Sequence, residues 1–163
     1  MLDYKTEKLN QEEMSAQYVI FSLNGQDFGI NVLNIREILE AQSLTKIPES
    51  PTYVMGVIDL RDKIIPVIDL VKRFKLGNGQ SKQRNKNIII AADDTLLGLS
   101  VEEVREIIRI NTTEISEIPE ITENIQKKYI EGIARLDNSL LVLLDVDCIF
   151  SSRDLQELRD IEA

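Results

Sequence analysis

The stretch Gly56–Phe74, GVIDLRDKIIPVIDLVKRF, decides the fold. It predicts two strands separated by a polar turn at residues 61–63, followed by a short helical stretch from Asp69. Both strands consist almost entirely of apolar, mostly β-branched residues, as expected for strands that are covered on both faces. The same pattern returns at Gly132–Phe150, GIARLDNSLLVLLDVDCIF, so this unit is used twice.

The duplication extends upstream of this unit. Residues 18–39 align without gaps on residues 87–108, and Arg36-Glu37-Ile38 meets Arg105-Glu106-Ile107. A match of this length is a specific sign of internal repetition. The sequence therefore predicts a mainly β protein of two similar β units, with these segments: a flexible N-terminal tail (1–16), a first β unit (17–85), a second β unit (86–151) and a C-terminal helix (152–163).

Composition narrows the class of protein. The 163 residues carry a formal net charge of −9, which argues against binding to nucleic acid or to anionic membranes. The chain lacks a run of about 18 apolar residues, so no membrane insertion is expected. A single cysteine, Cys148, cannot form an internal disulfide. These features predict a soluble cytoplasmic protein.

The sequence contains no histidine. This excludes histidine-based catalytic triads and imidazole metal sites. With one cysteine and no histidine, an ordinary structural zinc site is also excluded. We therefore expect no metal and no cofactor.

Two segments have ambiguous periodicity. Their apolar residues follow the spacing of one helix face, but β-branched residues predominate and hairpins flank them, so we predict one helical turn followed by a strand. The apolar positions belong either to the core or to a groove that accepts a partner helix. The residues are Val32, Ile35, Ile38 and Leu39 in the first segment and Val101, Val104, Ile107 and Ile108 in the second.

Several polar residues are better explained by helix capping than by catalysis. Asp69 and Asp145 occupy the same repeat position ahead of an apolar turn, which predicts N-caps. Ser151, with Asp154 three residues later, is a capping-box signal for the terminal helix. An apolar stripe on that helix should pack onto a barrel. Cys148 has no cationic neighbour in sequence and is predicted to be a buried apolar residue.

Glu37 and Arg61 each lie in an apolar stretch. A charge in such a place is usually paired, although simple exposure at the surface is the alternative. We predict a partly exposed ion pair between them that fixes a hairpin against the preceding strand.

Residues 56–62, GVIDLRD, and 65–70, IPVIDL, resemble the signature of the CheW family of bacterial chemotaxis coupling proteins. The hairpin at 18–31 and the strand from Gly132 match in the same order, so the resemblance covers about residues 17–150. Two positions depart from the family pattern, which usually has Asn at position 59 and Gly at position 62, where this chain has Asp.

The resemblance implies two SH3-like five-stranded β-barrels around a shared apolar core and no enzymatic activity. It implies an adaptor that couples the cytoplasmic tips of methyl-accepting chemotaxis receptors to the regulatory domain of the histidine kinase CheA. The protein would then be cytoplasmic and recruited to receptor arrays at the inner face of the membrane.

The resemblance also implies where the partners bind. The receptor helix would dock in the groove between the barrels, lined by Val32, Ile35 and Val101, with Glu37 and Arg61 close by. The kinase contact is expected to involve Thr45, Ile47 and Gly56. Two other hypotheses stay open at this point: a CheW-like module detached from a kinase or a receiver-containing protein, and an enzyme that uses carboxylates.

Overall fold

The computed structural model describes residues 14–76, 83–118, 127–137 and 139–162. The predicted tail therefore lies mostly outside the described residues, and the first strand begins at Ser15. The strands are β1 (Ser15–Leu23), β2 (Gln26–Asn31), β3 (Ile35–Glu40), β4 (Val54–Leu60), β5 (Lys63–Asp69), β6 (Lys86–Ala92), β7 (Thr95–Val101), β8 (Glu103–Asn111), β9 (Ile115–Ser116), β10 (Ile130–Leu136) and β11 (Ser139–Leu144).

Helices are short. They are α1 (Leu70–Arg73), α2 (Val146–Ile149) and α3 (Ser152–Glu162), with 3₁₀ turns at residues 32–34, 112–114 and 127–129. Among the described helices, none combines the length and the apolar character needed to cross a membrane. The prediction that helices are confined to short turns and the C-terminal end is confirmed.

The strands form two sheets. The six-stranded sheet has the order β8-β1-β2-β11-β10-β9, and the five-stranded sheet has the order β3-β6-β7-β5-β4. This confirms the mainly β fold of two barrels with a C-terminal helix. The six-stranded sheet exceeds the expected five because the two-residue strand β9 pairs with β10.

The sheets do not follow the boundary predicted between residues 17–85 and 86–151. Strands β1 and β2 join the six-stranded sheet while β3 to β5 join the other, and β6 and β7 separate from β8 to β11 in the same way. The hairpins of the two repeats meet through parallel pairs, β2 with β11 and β5 with β7. Each barrel is therefore assembled from both repeats, because a strand edge left by one repeat is paired by the other.

The chain passes between the sheets at two crossovers. The first is the 3₁₀ turn at residues 32–34, where the Asn31 Oδ1 accepts a hydrogen bond of 2.9 Å from the Leu33 amide. This confirms the prediction of one helical turn followed by a strand. At the second crossover the helical turn is absent, since β7 runs to Val101 and β8 begins at Glu103.

Tight two-residue turns connect the hairpins. Asn24 and Gly25, Arg61 and Asp62, and Asp93 and Asp94 all have positive φ angles between 46° and 77°. Such turns match the right-handed twist of the adjoining strands. Asp62 adopts φ 67°, a conformation that Asp tolerates better than most residues.

The predicted helix caps are present. Asp69 Oδ1 accepts a hydrogen bond from the Val71 amide at 3.0 Å, and Asp145 Oδ1 accepts one from the Asp147 amide at 3.1 Å. At α3, the Asp154 amide donates to Ser151 Oγ and the Ser151 amide donates to Asp154 Oδ2. This reciprocal pair is a capping box.

The prediction that Cys148 is buried is wrong. The side chain is exposed, and its thiol donates to Asp145 Oδ2 at 3.3 Å. On the four-residue helix α2, Val146 and Ile149 are the buried residues. Cys148 therefore lies on the face that solvent reaches.

A shared hydrophobic core joins the sheets. The main core contains buried side chains from both sheets and from α3, while a smaller cluster packs within each sheet. The side chains of the main core include Phe21, Phe28, Ile30 and Leu144 from the six-stranded sheet, Ile68, Ile88, Leu97 and Leu99 from the five-stranded sheet, and Leu155 and Leu158 from the terminal helix.

Arg73, at the end of α1, holds the terminal helix against the rest of the protein through several contacts. Its guanidinium carbon lies 4.9, 5.5 and 5.2 Å from the ring centroids of Tyr53, Tyr129 and Phe150, within the range of cation–π attraction. Its Nε and Nη2 donate to the Ile149 carbonyl at 3.0 and 2.7 Å, and Nη2 also donates to Asp154 Oδ2 at 2.7 Å. One side chain therefore links the five-stranded sheet to α2 and α3.

Asp154 should contribute stability that depends on pH. Burial opposes its charged form, but the hydrogen bonds from Ser151 and the positive charge of Arg73 outweigh that effect and lower the pKa of the carboxyl group. Because its folded pKa lies below the unfolded one, the stabilisation is complete above about pH 4 and is lost as pH falls through the folded pKa.

We therefore expect Asp154→Asn to lower the free energy of unfolding by about 1–2 kcal/mol at pH 7. The difference from the parent should shrink as pH falls below about 4. Chemical denaturation at several pH values measures both, with Asp160→Asn on the same helix as the control. A difference that is constant with pH would contradict the role given to this carboxylate.

Candidate partner-binding surface

The residues predicted to line a groove lie at the two crossovers. Val32, in the 3₁₀ turn, and Ile35, at the start of β3, are both half-buried, and Ile35 packs against the main core. Val101 is 0% exposed and belongs to that core. The structure therefore leaves Val32 and Ile35 partly open to a partner, but it does not place Val101 on an open wall.

The burial of Val101 follows from the strand that carries it. Leu97, Leu99 and Val101 alternate along β7, and all three face the main core. In the sequence, Val101 also fits the spacing of a helix face, so its place in this strand alternation could not be recognised. Val101 is thus a core residue at the end of a strand.

The predicted pair of Glu37 and Arg61 is present. Arg61 Nη2 donates to both carboxylate oxygens of Glu37, at 2.6 and 2.8 Å. The Arg61 side chain is 72% exposed and that of Glu37 is 26% exposed, so the pair is partly exposed, as expected. Strands β3 and β4 are the two edges of the five-stranded sheet. The pair therefore spans the gap between the edges and helps to close that barrel.

The pair lies at the mouth of a cavity of about 480 Å³. Every residue that lines the cavity belongs to the five-stranded sheet or its turns. The apolar floor includes Ile65, Ile89 and Leu96. Glu37 and Arg61 thus border the opening of one barrel, whereas the prediction placed them at the rim of the groove between the barrels.

Thr45 and Gly56, two of the three residues expected at a kinase contact, are in contact with each other. Thr45 forms an isolated bridge with Val57 through backbone hydrogen bonds of 3.0 and 2.8 Å. Gly56 has φ 154°, and a Cβ atom there would lie 2.7 Å from the Thr45 carbonyl oxygen. Glycine is therefore required for the segment at Thr45 to cover the edge strand β4.

Ile47, the third of these residues, lies beside the terminal helix. It is half-buried and lines a shallow cavity with Pro48 and Pro51 on one side and Glu157 and Ile161 of α3 on the other. Ile47 therefore lies against α3, two residues beyond the bridge at Thr45.

The second barrel repeats the close approach seen at Gly56. Gly132, its repeat counterpart, leaves no room for a Cβ atom, which would lie 2.4 Å from Ile115 Cγ2 and 3.0 Å from the Ser116 carbonyl oxygen. These two residues form β9, which pairs with β10. A short segment therefore covers one edge strand in each barrel.

Exposed apolar side chains occur at equivalent places in the two repeats, and three of them, Leu33, Ile64 and Leu140, were not singled out from the sequence. Ile64 corresponds to Leu140 and Ile38 to Ile107 in the repeat, and all four are exposed, as is Leu33, at 81%, in the first crossover. Scattered exposed apolar side chains are normal on protein surfaces, so the notable feature is their recurrence at matched positions of the repeat. A strict alternation of apolar and polar residues would have indicated which side chains face solvent. These strands are instead nearly continuous apolar runs, so the exposed positions could not be recognised from the pattern.

Within the described ranges, no three Cys, Asp or Glu side chains are placed to share a metal ion. Asp69 instead caps α1 and accepts a hydrogen bond of 3.3 Å from Arg84, and Asp145 caps α2. Both carboxylates thus have structural partners.

Comparison with protein-family models then identifies the fold. Residues 17–154 match the model of the CheW-like domain. The chain belongs to the CheW-like family. The match includes both sheets and the start of the terminal helix.

Individual relatives support this assignment. This CheW-like chain is 31% identical to the chemotaxis protein CheW of Treponema pallidum, over 94% of the chain and 91% of that protein. It is 32% identical to the chemotaxis protein CheW of Bacillus subtilis, over 85% and 88%. The crystal structure of the scaffolding protein TtCheW from Thermoanaerobacter tengcongensis matches with a TM-score of 0.77 and 37% identity, covering 86% of this chain and 91% of that one.

Val101 and Val32 differ in burial, so the same substitution at the two sites should differ in its effect on stability. We expect Val101→Asp to destabilise the protein by about 4 kcal/mol or more, because it places a carboxylate in the main core. Val32→Asp should cost only about 1 kcal/mol, because its side chain is partly solvated. Denaturant unfolding of both variants measures this difference. Similar losses would show that the two sites are equally buried.

The Glu37–Arg61 pair should couple weakly. In a double-mutant cycle of Glu37→Ala and Arg61→Ala, the coupling free energy of unfolding should be about 0–1 kcal/mol, as for exposed ion pairs. It should decrease in high salt because the pair is open to solvent. Coupling well above this range would mean that the barrel mouth depends on the pair for its stability.

Proposed function

We propose that the chain is a non-enzymatic scaffold of bacterial chemotaxis that couples methyl-accepting chemotaxis receptors to the histidine kinase CheA. The similarity to proteins named CheW, along most of both chains, carries this proposal. A scaffold acts by holding partners at fixed positions, and a core shared between two barrels provides a rigid body for this purpose.

The receptor site is proposed at the first crossover. Val32 and Ile35 are half-buried and Leu33 is largely exposed, so this turn presents apolar side chains where the chain passes between the sheets. An amphipathic helix docks by laying its apolar face on such a surface. Glu37 and Arg61 pair with each other at the mouth of the five-stranded barrel and are not part of this proposed site.

The kinase site is proposed at the covered edge of β4. The bridge between Thr45 and Val57 fixes a segment whose neighbour Leu44 is an exposed apolar residue. Ile47 continues this surface towards the terminal helix. A partner that binds here would recognise the segment only while Gly56 lets it lie against the strand.

The scaffold would work in the cytoplasm, at the inner face of the membrane, through its contacts with receptors. The net charge of −9 opposes direct attraction to anionic lipids. Recruitment would therefore depend on protein partners.

A second candidate function is that of a CheW-like module within a longer chemotaxis protein. The chain is 34% identical to the chemotaxis protein CheV3 of Helicobacter pylori over 80% of the chain, but this covers only 43% of that protein. The CheW proteins compared above are covered along 91% and 88% of their lengths.

Reconstitution of the purified chain with a receptor cytoplasmic fragment and CheA tests the proposal. The chain should bind both and should be needed for the receptor fragment to change the rate of CheA autophosphorylation. Val32→Asp should weaken receptor binding by roughly tenfold while leaving CheA binding unchanged, since a carboxylate opposes apolar docking.

Gly56→Ala and Gly132→Ala form a matched pair for the kinase site. Each places a methyl group against the segment that covers an edge strand, but in different barrels. We expect only Gly56→Ala to weaken CheA binding, with both proteins still folded by circular dichroism. Equal loss in both variants would place the kinase contact elsewhere, and no binding of the parent to either partner would refute the scaffold function.

A further inference from the structure

Glu102 is a buried carboxylate at the second crossover, between β7 and β8. Its residue is 6% exposed. Its backbone amide donates to the Ser22 carbonyl at 3.1 Å, and its Oε1 accepts a hydrogen bond of 2.7 Å from the Asn24 amide. The other oxygen, Oε2, is buried and has no hydrogen-bond partner in the structure as described. One half of this carboxylate is therefore satisfied and the other half is not.

An unsatisfied buried oxygen of this kind is unusual. Most buried polar atoms in proteins have a partner, because leaving water without a replacement hydrogen bond is unfavourable. The fold itself does not require an acid here, since the repeat counterpart of Glu102 is the exposed residue Leu33. Glu102 thus has a role that the first crossover does not share.

The residue lines a cleft of about 420 Å³. The cleft is bordered by the turn between β1 and β2, the segment that leads into β6, and the start of β8. Its charged lining residues besides Glu102 are Asp27, Lys86, Glu103 and Arg105. The cleft combines several carboxylates with backbone and amide groups at the junction of the two barrels.

The two cations that line the cleft already have acidic partners, one inside the cleft and one outside it. Arg105 pairs with Asp27 at 3.2 Å, and Lys86 pairs with Glu40 of β3. No ion pair to Glu102 or Glu103 is formed by the part of the chain that the structure describes. The unpaired charge of the cleft is therefore negative, with a buried acceptor oxygen at Glu102.

We propose that this cleft binds the guanidinium group of an arginine side chain from a partner polypeptide. A guanidinium carries several N–H donors in a plane and is weakly hydrated, so it suits a buried carboxylate that lacks a donor. Glu102 Oε2 would accept one donor, and Glu103 would attract the charge at the entrance. The described residues do not group three acids around one metal position.

This site differs from the two surfaces proposed for receptors and CheA. It shares none of Val32, Ile35, Thr45, Ile47 or Gly56. The inference goes beyond the scaffold function, and its test uses no chemotaxis partner. Failure of one proposal is therefore distinguishable from failure of the other.

The test is an NMR titration of the ¹⁵N-labelled full chain with the peptide acetyl-Gly-Arg-Gly-amide. The matched probe replaces arginine by citrulline, which keeps the shape but removes the charge, at equal ionic strength. With the arginine peptide we expect saturable shifts at the amides of Asn24, Gly25 and Glu103. The citrulline peptide should give no saturable shift.

Two variants locate the binding group. Glu102→Gln retains an oxygen that can accept from the Asn24 amide but removes the charge, and should weaken arginine-peptide binding by roughly tenfold or more. Glu157→Gln makes the same charge change on the exposed face of α3 and should change the affinity by less than about twofold. The dispersion of each spectrum reports whether the variant is folded.

Equal shifts with the arginine and citrulline peptides, or shifts that rise linearly without saturation, would overturn the proposal. Unchanged affinity in folded Glu102→Gln would also overturn it. If Glu102→Gln does not fold, the comparison of the two peptides on the parent protein decides the outcome.

Discussion

Burial of apolar side chains between the two sheets is the interaction on which the rest of the structure depends. Phe21 and Phe28 from one sheet and Ile88 and Leu99 from the other pack in one cluster, and none of the four is exposed. A barrel built from one repeat alone would lack this shared layer. The exchange of strands between repeats therefore makes the two barrels a single folding unit, since neither sheet is complete without both halves of the chain.

The shared core also determines where partners can bind. The crossovers must lie at the surface between the barrels, because the chain leaves one sheet there and enters the other. At the first crossover this exposes Leu33 beside Val32 and Ile35. At the second it draws Glu102 inward, where its carboxylate holds the turn at Asn24. Equivalent positions in a repeat have thus acquired an apolar surface in one case and a buried acceptor in the other.

Local chemistry explains what could be predicted from the sequence. The hairpin turns, the caps at Asp69 and Asp145 and the capping box at Ser151 depend on residues within a few positions of each other. The pairing of Glu37 with Arg61 could also be predicted from the sequence, since two opposite charges in apolar stretches need partners. The family signature added the two-barrel fold, which composition alone did not specify.

Long-range pairing explains what could not be predicted. The boundary between the barrels depends on the parallel pairs of β2 with β11 and β5 with β7, which no local spacing indicates. Val101 has the period of a helix face but lies in a strand, so its burial could not be inferred from spacing. The exposure of Cys148 was predicted wrongly, and the burial of Glu102 was not predicted at all. In both cases the exposure of a single residue in a short segment depends on the element that packs against it.

The covered edges of β4 and β10 affect how copies of this protein can pack at high local concentration. An open strand edge can pair with the same edge of another molecule, which leads to aggregation. Here the bridge at Thr45 and the two-residue strand at Ile115 occupy part of each edge, and Gly56 and Gly132 let them lie close. Copies of this chain can therefore be crowded side by side without their sheets merging at these edges, so neighbours meet through side chains, whose contacts are specific and reversible.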